Sequence, residues 1–84
     1  MKRITYSKSA IKTLRRMPAN TSKLIRGKIE QYASSPGELA NNMKALQGER
    51  GIYRLRVSNW RVLFGEDGQV IDVIRIAPRG GAYE

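Results

Sequence analysis

The last two fifths of the chain contain three short β-rich runs separated by tight turns, and this pattern restricts the fold more than any other feature. The runs cover residues 52–57, 60–66 and 70–77, and the dipeptides Ser58-Asn59 and Asp67-Gly68 join them. Asp-Gly between alternating apolar runs is among the strongest short signals for a β-hairpin. We therefore predict an antiparallel meander of three strands.

The beginning of the chain combines one strand-like run with a helical pattern. Residues 2–6 alternate in polarity and favour a first strand. Residues 10–17 place apolar side chains at helical spacing until Pro18 ends the pattern, and Ser7 or Ser9 can cap the helix. This region therefore predicts a strand followed by an amphipathic helix.

A second helical pattern follows, and then a segment rich in turn-forming residues. Asn20 or Thr21 can accept a backbone N–H at the start of this helix. Its predicted apolar stripe consists of Leu24, Ile25, Ile29, Tyr32 and Ala33. Residues 34–51 are dense in turn formers, so we predict an irregular connector that Met43 and Leu46 anchor to the body.

Length and composition limit what these elements can build. A chain of 84 residues encloses a single modest core. We predict one α+β domain over residues 1–84: a strand, a two-helix hairpin packed on one sheet face, and the three-stranded meander. Because the chain has no cysteine and no histidine, it cannot form a disulfide, a thiolate or imidazole metal site, or a catalytic dyad that uses either residue.

The sequence shows no long apolar run. No segment approaches the length needed to span a bilayer, and the charged start MKRITYSK lacks the apolar stretch of a secretory signal. We therefore expect a cytoplasmic protein that does not interact with membranes.

The first predicted hairpin gathers arginines on one face. With Ser58-Asn59 as the turn, Arg56 lies opposite Arg61 and Arg54 lies opposite Leu63. The other face, predicted to meet the helices, carries Tyr53, Leu55, Val57, Trp60, Val62 and Phe64. Like charges placed opposite each other destabilise a sheet, so this arrangement suggests a function that offsets the cost.

The second predicted hairpin has a less certain register. A two-residue Asp67-Gly68 turn places Asp72 beside Leu63 and Ile74 beside Arg61, so that Asp72 becomes a counterion on the arginine face. Arg75 then falls on the opposite face, and a β-bulge would exchange the two faces. In either case this strand ends near Ser58-Asn59, which brings Arg79 close to Arg56 and lets Tyr83 fold over the same surface.

A net charge of +9 favours polyanionic partners, and nucleic acid is the first candidate. The simplest alternative is that charges keep exposed faces soluble. Arginine, however, offers a planar fork that matches phosphate oxygens, and Tyr83 in a polar tail can stack on a base or remain part of a disordered terminus. The cationic helical face is either merely solvated or docks on RNA, and it comprises Lys8, Lys12, Arg15, Arg16, Lys23, Arg26 and Lys28.

The order of elements, the YRLRVSNWRVLF hairpin and the ending IAPRGGAY resemble the RelE/ParE superfamily of bacterial type II toxins over nearly the whole chain. The arginines of the hairpin, with Arg79 and Tyr83, resemble the RelE branch in particular. This resemblance implies an endoribonuclease that cuts messenger RNA in the ribosomal A site, contacts ribosomal RNA and needs neither a metal nor another cofactor. It also implies a cognate antitoxin protein as partner.

The resemblance carries site residues over by position. Arg54 and Arg56 match two basic residues of the second strand, Arg61 the arginine of the third, Arg79 the arginine after the fourth, and Tyr83 the C-terminal tyrosine. In the family the ribose 2′-OH attacks the adjacent phosphate. The match implies that Arg61 and Arg79 hold the scissile phosphate and that Tyr83 stacks on or orients the substrate. The second-strand residues are often lysines in RelE, whereas arginine keeps its proton, so no general base is assigned.

Two other functions remain open from the sequence. A ParE-like toxin that inhibits DNA gyrase would share the fold without nuclease activity. A simple nucleic-acid-binding module would need only the net charge and the cationic helical face.

Overall fold

The computed structural model describes residues 1–46, 48 and 51–78, which form two α-helices, a 3-10 helix and five strands. In chain order these are β1 (Arg3–Tyr6), α1 (Lys8–Arg16), α2 (Ala19–Ser34), the 3-10 helix (Pro36–Asn42), β2 (Met43–Ala45), β3 (Ile52–Val57), β4 (Trp60–Glu66) and β5 (Val70–Pro78). Within these ranges, no helix has both the length and the apolar character needed to cross a membrane.

The strands form one five-stranded sheet with the order β1-β5-β4-β3-β2. β1 runs parallel to β5, and the other pairs are antiparallel. The two helices connect β1 to the rest of the sheet and pack on a single face, because their apolar side chains join the same core as the inward residues of β3, β4 and β5. The predicted α+β class and the one-sided helix packing are therefore confirmed.

α1 begins earlier than its apolar pattern suggested. Ser7 is its N-cap, as predicted for Ser7 or Ser9, and its hydroxyl accepts the N–H of Ala10 at 3.0 Å. The same hydroxyl donates to the carbonyl of Ile74 at 2.6 Å. One side chain thus fixes both the start of the helix and its position beside β5.

α2 corrects two expectations. The helix starts at Ala19 with Pro18 as N-cap, so the prediction that Asn20 or Thr21 caps it is wrong. Pro18 can hold this position because the first N–H groups of a helix lack intrahelical partners anyway. Asn20 does accept a backbone N–H, that of Thr21 at 2.9 Å, but from within the first turn. Leu24, assigned to the apolar stripe, is 46% exposed.

The connector is more ordered than predicted. It contains the 3-10 helix and the edge strand β2, which pairs with β3 so that Met43 lies opposite Leu55. Met43 packs against the core as expected, while Leu39, 6% exposed, is a buried anchor that the sequence analysis did not single out. β2 has no alternating pattern of its own, so the exposed edge of β3 determines its conformation.

The register between β4 and β5 also differs from the prediction. Arg61 lies opposite Ala77, Leu63 opposite Arg75, and Asp72 opposite Gly65. Two features cause the shift. The side chain of Asp67 accepts the N–H groups of Gln69 and Val70, which lengthens the turn, and the pairing shifts by one residue between Leu63 and Phe64, leaving Ile74 as the extra residue of a β-bulge.

The bulge changes which residues share a face. Asp72 and Arg75 were predicted to lie on opposite faces of β5, and instead the register puts both on the outward face. Asp72 is not a counterion to Arg61, because it lies opposite Gly65 and accepts the hydroxyl of Thr5 at 2.8 Å. The arginine face therefore gains a cation and loses its expected counterion.

A buried polar network joins α2 to the sheet. The Tyr32 hydroxyl donates to one carboxylate oxygen of Glu66 at 2.6 Å, and the Lys2 ammonium pairs with the other oxygen. Burial, with a smaller contribution from Tyr53, raises the pKa of Tyr32, so this phenol stays protonated and can donate at neutral pH. The network connects the start of the chain, α2 and β4, and the sequence patterns gave no sign of it.

Candidate functional site

The β3–β4 hairpin brings three predicted arginines to the outward face of the sheet. Arg56 lies opposite Arg61 and Arg54 lies opposite Leu63, which confirms the predicted register. Ser58 adopts a left-handed φ of +54°, as a two-residue hairpin turn requires. With Cα atoms of opposed residues roughly 4.5 to 5.5 Å apart, Arg56 and Arg61 are direct neighbours.

Arg61 is the centre of this cluster and its most buried member. Its side chain is 8% exposed, whereas that of Arg54 is half-buried and that of Arg56 is exposed. Arg61 faces Arg56 directly and Arg54 diagonally, at a spacing of roughly 7 to 8 Å across the strands. The three guanidinium groups can therefore contact one small anion together.

Two guanidinium donors have no partner in the part of the chain that the structure describes. The Nε atoms of Arg54 and Arg61 are buried, and neither makes a hydrogen bond with the described residues. Within residues 1–46, 48 and 51–78, Arg61 donates only from Nη1, to the carbonyl of Trp60 at 3.3 Å. A buried unsatisfied donor costs about 1 to 3 kcal/mol, so an anion that accepted these two N–H groups would gain free energy.

The described residues supply no opposite charge to this cluster. Within the same ranges, the only salt bridge joins Lys2 to Glu66, at the other end of the sheet. In place of a carboxylate, Arg61 has Ala77 opposite it on β5. The outward face is therefore strongly cationic around Arg61.

Two further cations lie on this outward face. Lys44 on β2 lies opposite Arg54, and Arg75 on β5 lies opposite Leu63. The sequence gives no strand signal for β2, and it left the face of Arg75 open because the bulge in β5 leaves no mark in the alternation. With them the cationic surface crosses four strands.

Lys28 is half-buried, whereas the six other predicted helical cations are exposed, and the structure separates most of this exposed set from the arginine cluster. The set comprises Lys8, Lys12, Arg15, Arg16, Lys23 and Arg26. They project from helices that cover the opposite face of the sheet. The guanidinium of Arg26 lies 5.6 Å from the ring centre of Tyr6, a cation–π contact. The pKa of Tyr6 is raised by burial, which outweighs the opposing effect of Arg26.

The remaining predicted site residues, Arg79 and Tyr83, lie outside the described residues. Their roles stay predictions. The hairpin aromatics behave as the sequence analysis expected: Phe64 is buried in the core, and Trp60 packs partly against it.

The geometry defines the chemistry that this face can perform. Guanidinium groups bind phosphate oxygens and stabilise negative charge that develops on phosphorus. The described parts of the chain contain no cluster of side chains suited to a metal ion. The arrangement fits the binding of a phosphodiester and stabilisation of its transition state by charge.

Comparisons with known proteins agree with this fold. The model of the family described as "ParE toxin of type II toxin-antitoxin system, parDE" matches residues 4–83. Toxin RelE3 of Methanocaldococcus jannaschii is 29% identical over 84 residues, covering 98% of this chain and 96% of that protein.

Two solved complexes contain chains with a similar structure. The archaeal RelE–RelB complex from Pyrococcus horikoshii OT3 matches with a TM-score of 0.79 and 22% identity, over 96% of this chain and 98% of that chain. The RelB–RelE antitoxin–toxin complex from Methanococcus jannaschii matches with a TM-score of 0.71 and 25% identity, over 88% of each chain. Because the family model covers nearly the entire sequence, this protein is a toxin of the RelE/ParE superfamily and belongs to the ParE toxin family of type II toxin–antitoxin systems.

Proposed function

We propose that this toxin is a RelE-like endoribonuclease that cuts messenger RNA in the ribosomal A site. The observation that supports this function best is the cluster of Arg54, Arg56 and Arg61 on one sheet face, with two buried Nε–H groups that lack partners in the described chain. A solvated face needs no such arrangement, because exposed arginines satisfy their donors with water. The similarity to Toxin RelE3 over nearly the full length supports the same branch.

In the proposed reaction, RNA supplies its own nucleophile. The ribose 2′-oxygen attacks the adjacent phosphorus as the 2′-OH loses its proton, and a bond forms between them. The bond from phosphorus to the 5′-oxygen breaks, and that oxygen takes up a proton to leave as a 5′-OH. The products are a 2′,3′-cyclic phosphate and a 5′-OH end, so no metal, redox cofactor or outside nucleophile is required.

The arginines lower the barrier by positioning and charge. Arg61 and Arg79 hold the scissile phosphate, with Arg79 near the leaving oxygen, and Arg54 and Arg56 stabilise the charge that builds up on the phosphate. Tyr83 stacks on or orients the substrate. Because arginine retains its proton at neutral pH, these residues act as cations and hydrogen-bond donors and leave the role of general base unassigned.

The proposed partners follow from charge and from the relatives. The exposed cations on the helices can bind the phosphates of ribosomal RNA and so dock the toxin on the ribosome. The toxin would then act in the cytoplasm, where messages are translated. The two solved relatives are complexes of RelE with RelB. We extend this to a cognate antitoxin whose acidic, partly disordered segment folds over the arginine face and blocks it.

Mapping of RNA ends after induction tests the proposal. We expect primer extension on translated messages to show new 5′ ends within codons soon after the toxin is induced, and co-expression of the antitoxin to suppress them. Untranslated transcripts serve as the matched control and should remain intact. Intact messages during complete growth arrest would rule the proposal out.

A second candidate function is inhibition of DNA gyrase without RNA cleavage. One observation favours it: the family model that matches residues 4–83 carries the ParE name. In this case, induction would trigger a DNA damage response while messages remained uncut. Measuring both readouts in the same culture separates the two functions.

A further inference from the structure

A groove opens where β5 extends past β1. β1 pairs only with residues from Val70 to Val73, so the second half of β5 is paired with β4 on one side and, among the described residues, has no strand on its other side. A groove of about 570 Å³ lies between this free edge and α1. Its lining includes Ser9, Thr13, Arg16, Trp60, Arg75 and Pro78. It therefore lies directly beside the arginine face.

We propose that this groove binds a nucleotide next to the cleaved linkage, with Arg16 and Arg75 holding its phosphate and Trp60 contacting its base. The proposal rests on the function proposed above and adds a subsite to it.

The bulge in β5 places Arg75 on the outward face of the sheet and also beside the groove. Arg75 is opposite Leu63 and diagonal to Arg61, a spacing of roughly 7 to 8 Å across paired strands. It also lines the groove, together with Trp60 of β4. An RNA strand held at Arg61 can therefore reach Arg75 within about one nucleotide and continue over the free edge.

The chemistry of the lining matches a nucleotide. Arg16 and Arg75 are exposed cations from different elements, and neither makes a salt bridge with a carboxylate in the described ranges. Trp60 is half-buried, so part of its ring packs on the core while the rest lines the groove, where a base can stack on it. The Ser9 hydroxyl adds a hydrogen-bonding group, and the Thr13 hydroxyl, which donates to the carbonyl of Ser9 at 3.1 Å, adds an acceptor.

The charge distribution on the sheet gives the strand a direction. Toward the Ser58 turn the outward face carries cations, whereas its other end carries Asp72 as well as Arg3, and the Asp72 carboxylate repels phosphates. An RNA strand therefore leaves the cluster across β5 toward Arg75 and not along β5 toward Asp72.

The first test uses the single tryptophan of the chain, Trp60. A single-stranded 12-mer with 2′-O-methyl riboses binds without being cleaved, because it has no 2′-OH nucleophile. We expect saturable quenching of Trp60 fluorescence as this 12-mer binds. Unchanged emission at saturation, with binding confirmed by anisotropy of a labelled 12-mer, would overturn the proposal.

The second test counts phosphate contacts. For single strands, each contact contributes about 0.7 to the slope of log affinity against log salt concentration, so Arg75→Ala and Arg16→Ala should each reduce the slope by about 0.7. Arg75→Lys should restore it. Arg3→Ala is the matched control: this exposed arginine shares the outward face but sits opposite Val70, beyond Asp72, and the slope should stay unchanged.

The outcomes separate the subsite from the proposed function. Suppose that Arg75→Ala and Arg16→Ala reduce the slope of log affinity against log salt concentration, but the wild type cleaves no RNA. The subsite proposal would then stand and the nuclease proposal would fail. Cleavage by the wild type with equal slopes in Arg75→Ala, Arg16→Ala and Arg3→Ala would retain the nuclease and reject the subsite. Weakened antitoxin binding with unchanged RNA binding in the groove variants would assign the groove to the antitoxin and overturn the proposal.

Discussion

Replacing Arg61 with alanine is expected to reduce RNA cleavage by about 100-fold to 1,000-fold, the range seen when one donor to a developing oxyanion is removed. Arg61 is the most buried arginine of the cluster, and its neighbours hold it beside Arg56. A preorganised charge of this kind stabilises a transition state more than a mobile surface arginine does. Induction of Arg61→Ala should therefore not arrest growth, and message ends should stay intact.

The controls separate loss of chemistry from loss of fold. Arg61→Ala removes a side chain that is mostly buried, so its thermal unfolding should be compared with that of the wild type. Arg3→Ala removes the same charge from an exposed site on the same sheet face and should leave toxicity unchanged. Full toxicity of a folded Arg61→Ala protein would remove Arg61 from the site.

The largest effect on stability is expected for Phe64→Ala, which should lower the free energy of unfolding by about 3 to 5 kcal/mol. Phe64 is 1% exposed, and its ring centre lies 5.2 Å from that of Tyr32 and 5.7 Å from that of Tyr53. Truncation leaves a cavity where α2 meets β3 and β4. A small domain has only about 5 to 15 kcal/mol in total, so much of its stability would be lost.

Urea unfolding followed by circular dichroism measures this change. Leu24→Ala is the matched control, because Leu24 is 46% exposed and its truncation should change the free energy of unfolding by no more than about 0.5 kcal/mol. Equal losses for Phe64→Ala and Leu24→Ala would contradict the core described above.

The first hairpin could be predicted from the sequence because two independent signals agreed. Ser58-Asn59 fixed a two-residue turn, and the alternation from Tyr53 to Phe64 fixed the faces, so one register satisfied both. The second hairpin lacked this agreement. The Asp67 side chain accepts two backbone N–H groups and thereby lengthens the turn. Because β5 is apolar on both faces, its alternation could not reveal the bulge at Ile74.

The edge strand β2 and the start of α2 were harder to predict than the hairpins. β2 forms through pairing with β3, and Met43 and Lys44 carry no strand pattern of their own. α2 starts at Ala19 because the helix needs no side-chain cap there, whereas the sequence offered Asn20 as an obvious one. For β2, pairing with β3 outweighs local preference.

Some features of the candidate site could also be predicted from the sequence, and others could not. Arg54, Arg56 and Arg61 follow from the hairpin register and could be predicted, but Arg75 depends on the bulge and could not. The buried Nε atoms also required the structure, since sequence does not report which donors lack partners. The buried Nε atoms support the proposed nuclease function, and the position of Arg75 supports the proposed nucleotide subsite.

The most direct test is to present purified toxin with ribosomes programmed by a short message whose A-site codon is either all-ribose or has 2′-deoxyribose at the cleaved position. We predict cleavage of the ribose message to a 2′,3′-cyclic phosphate and a 5′-OH, and no cleavage of the deoxy message. Equal cleavage of both messages would contradict the proposed function. An intact ribose message would also contradict it if the same toxin preparation inhibits gyrase in a separate assay.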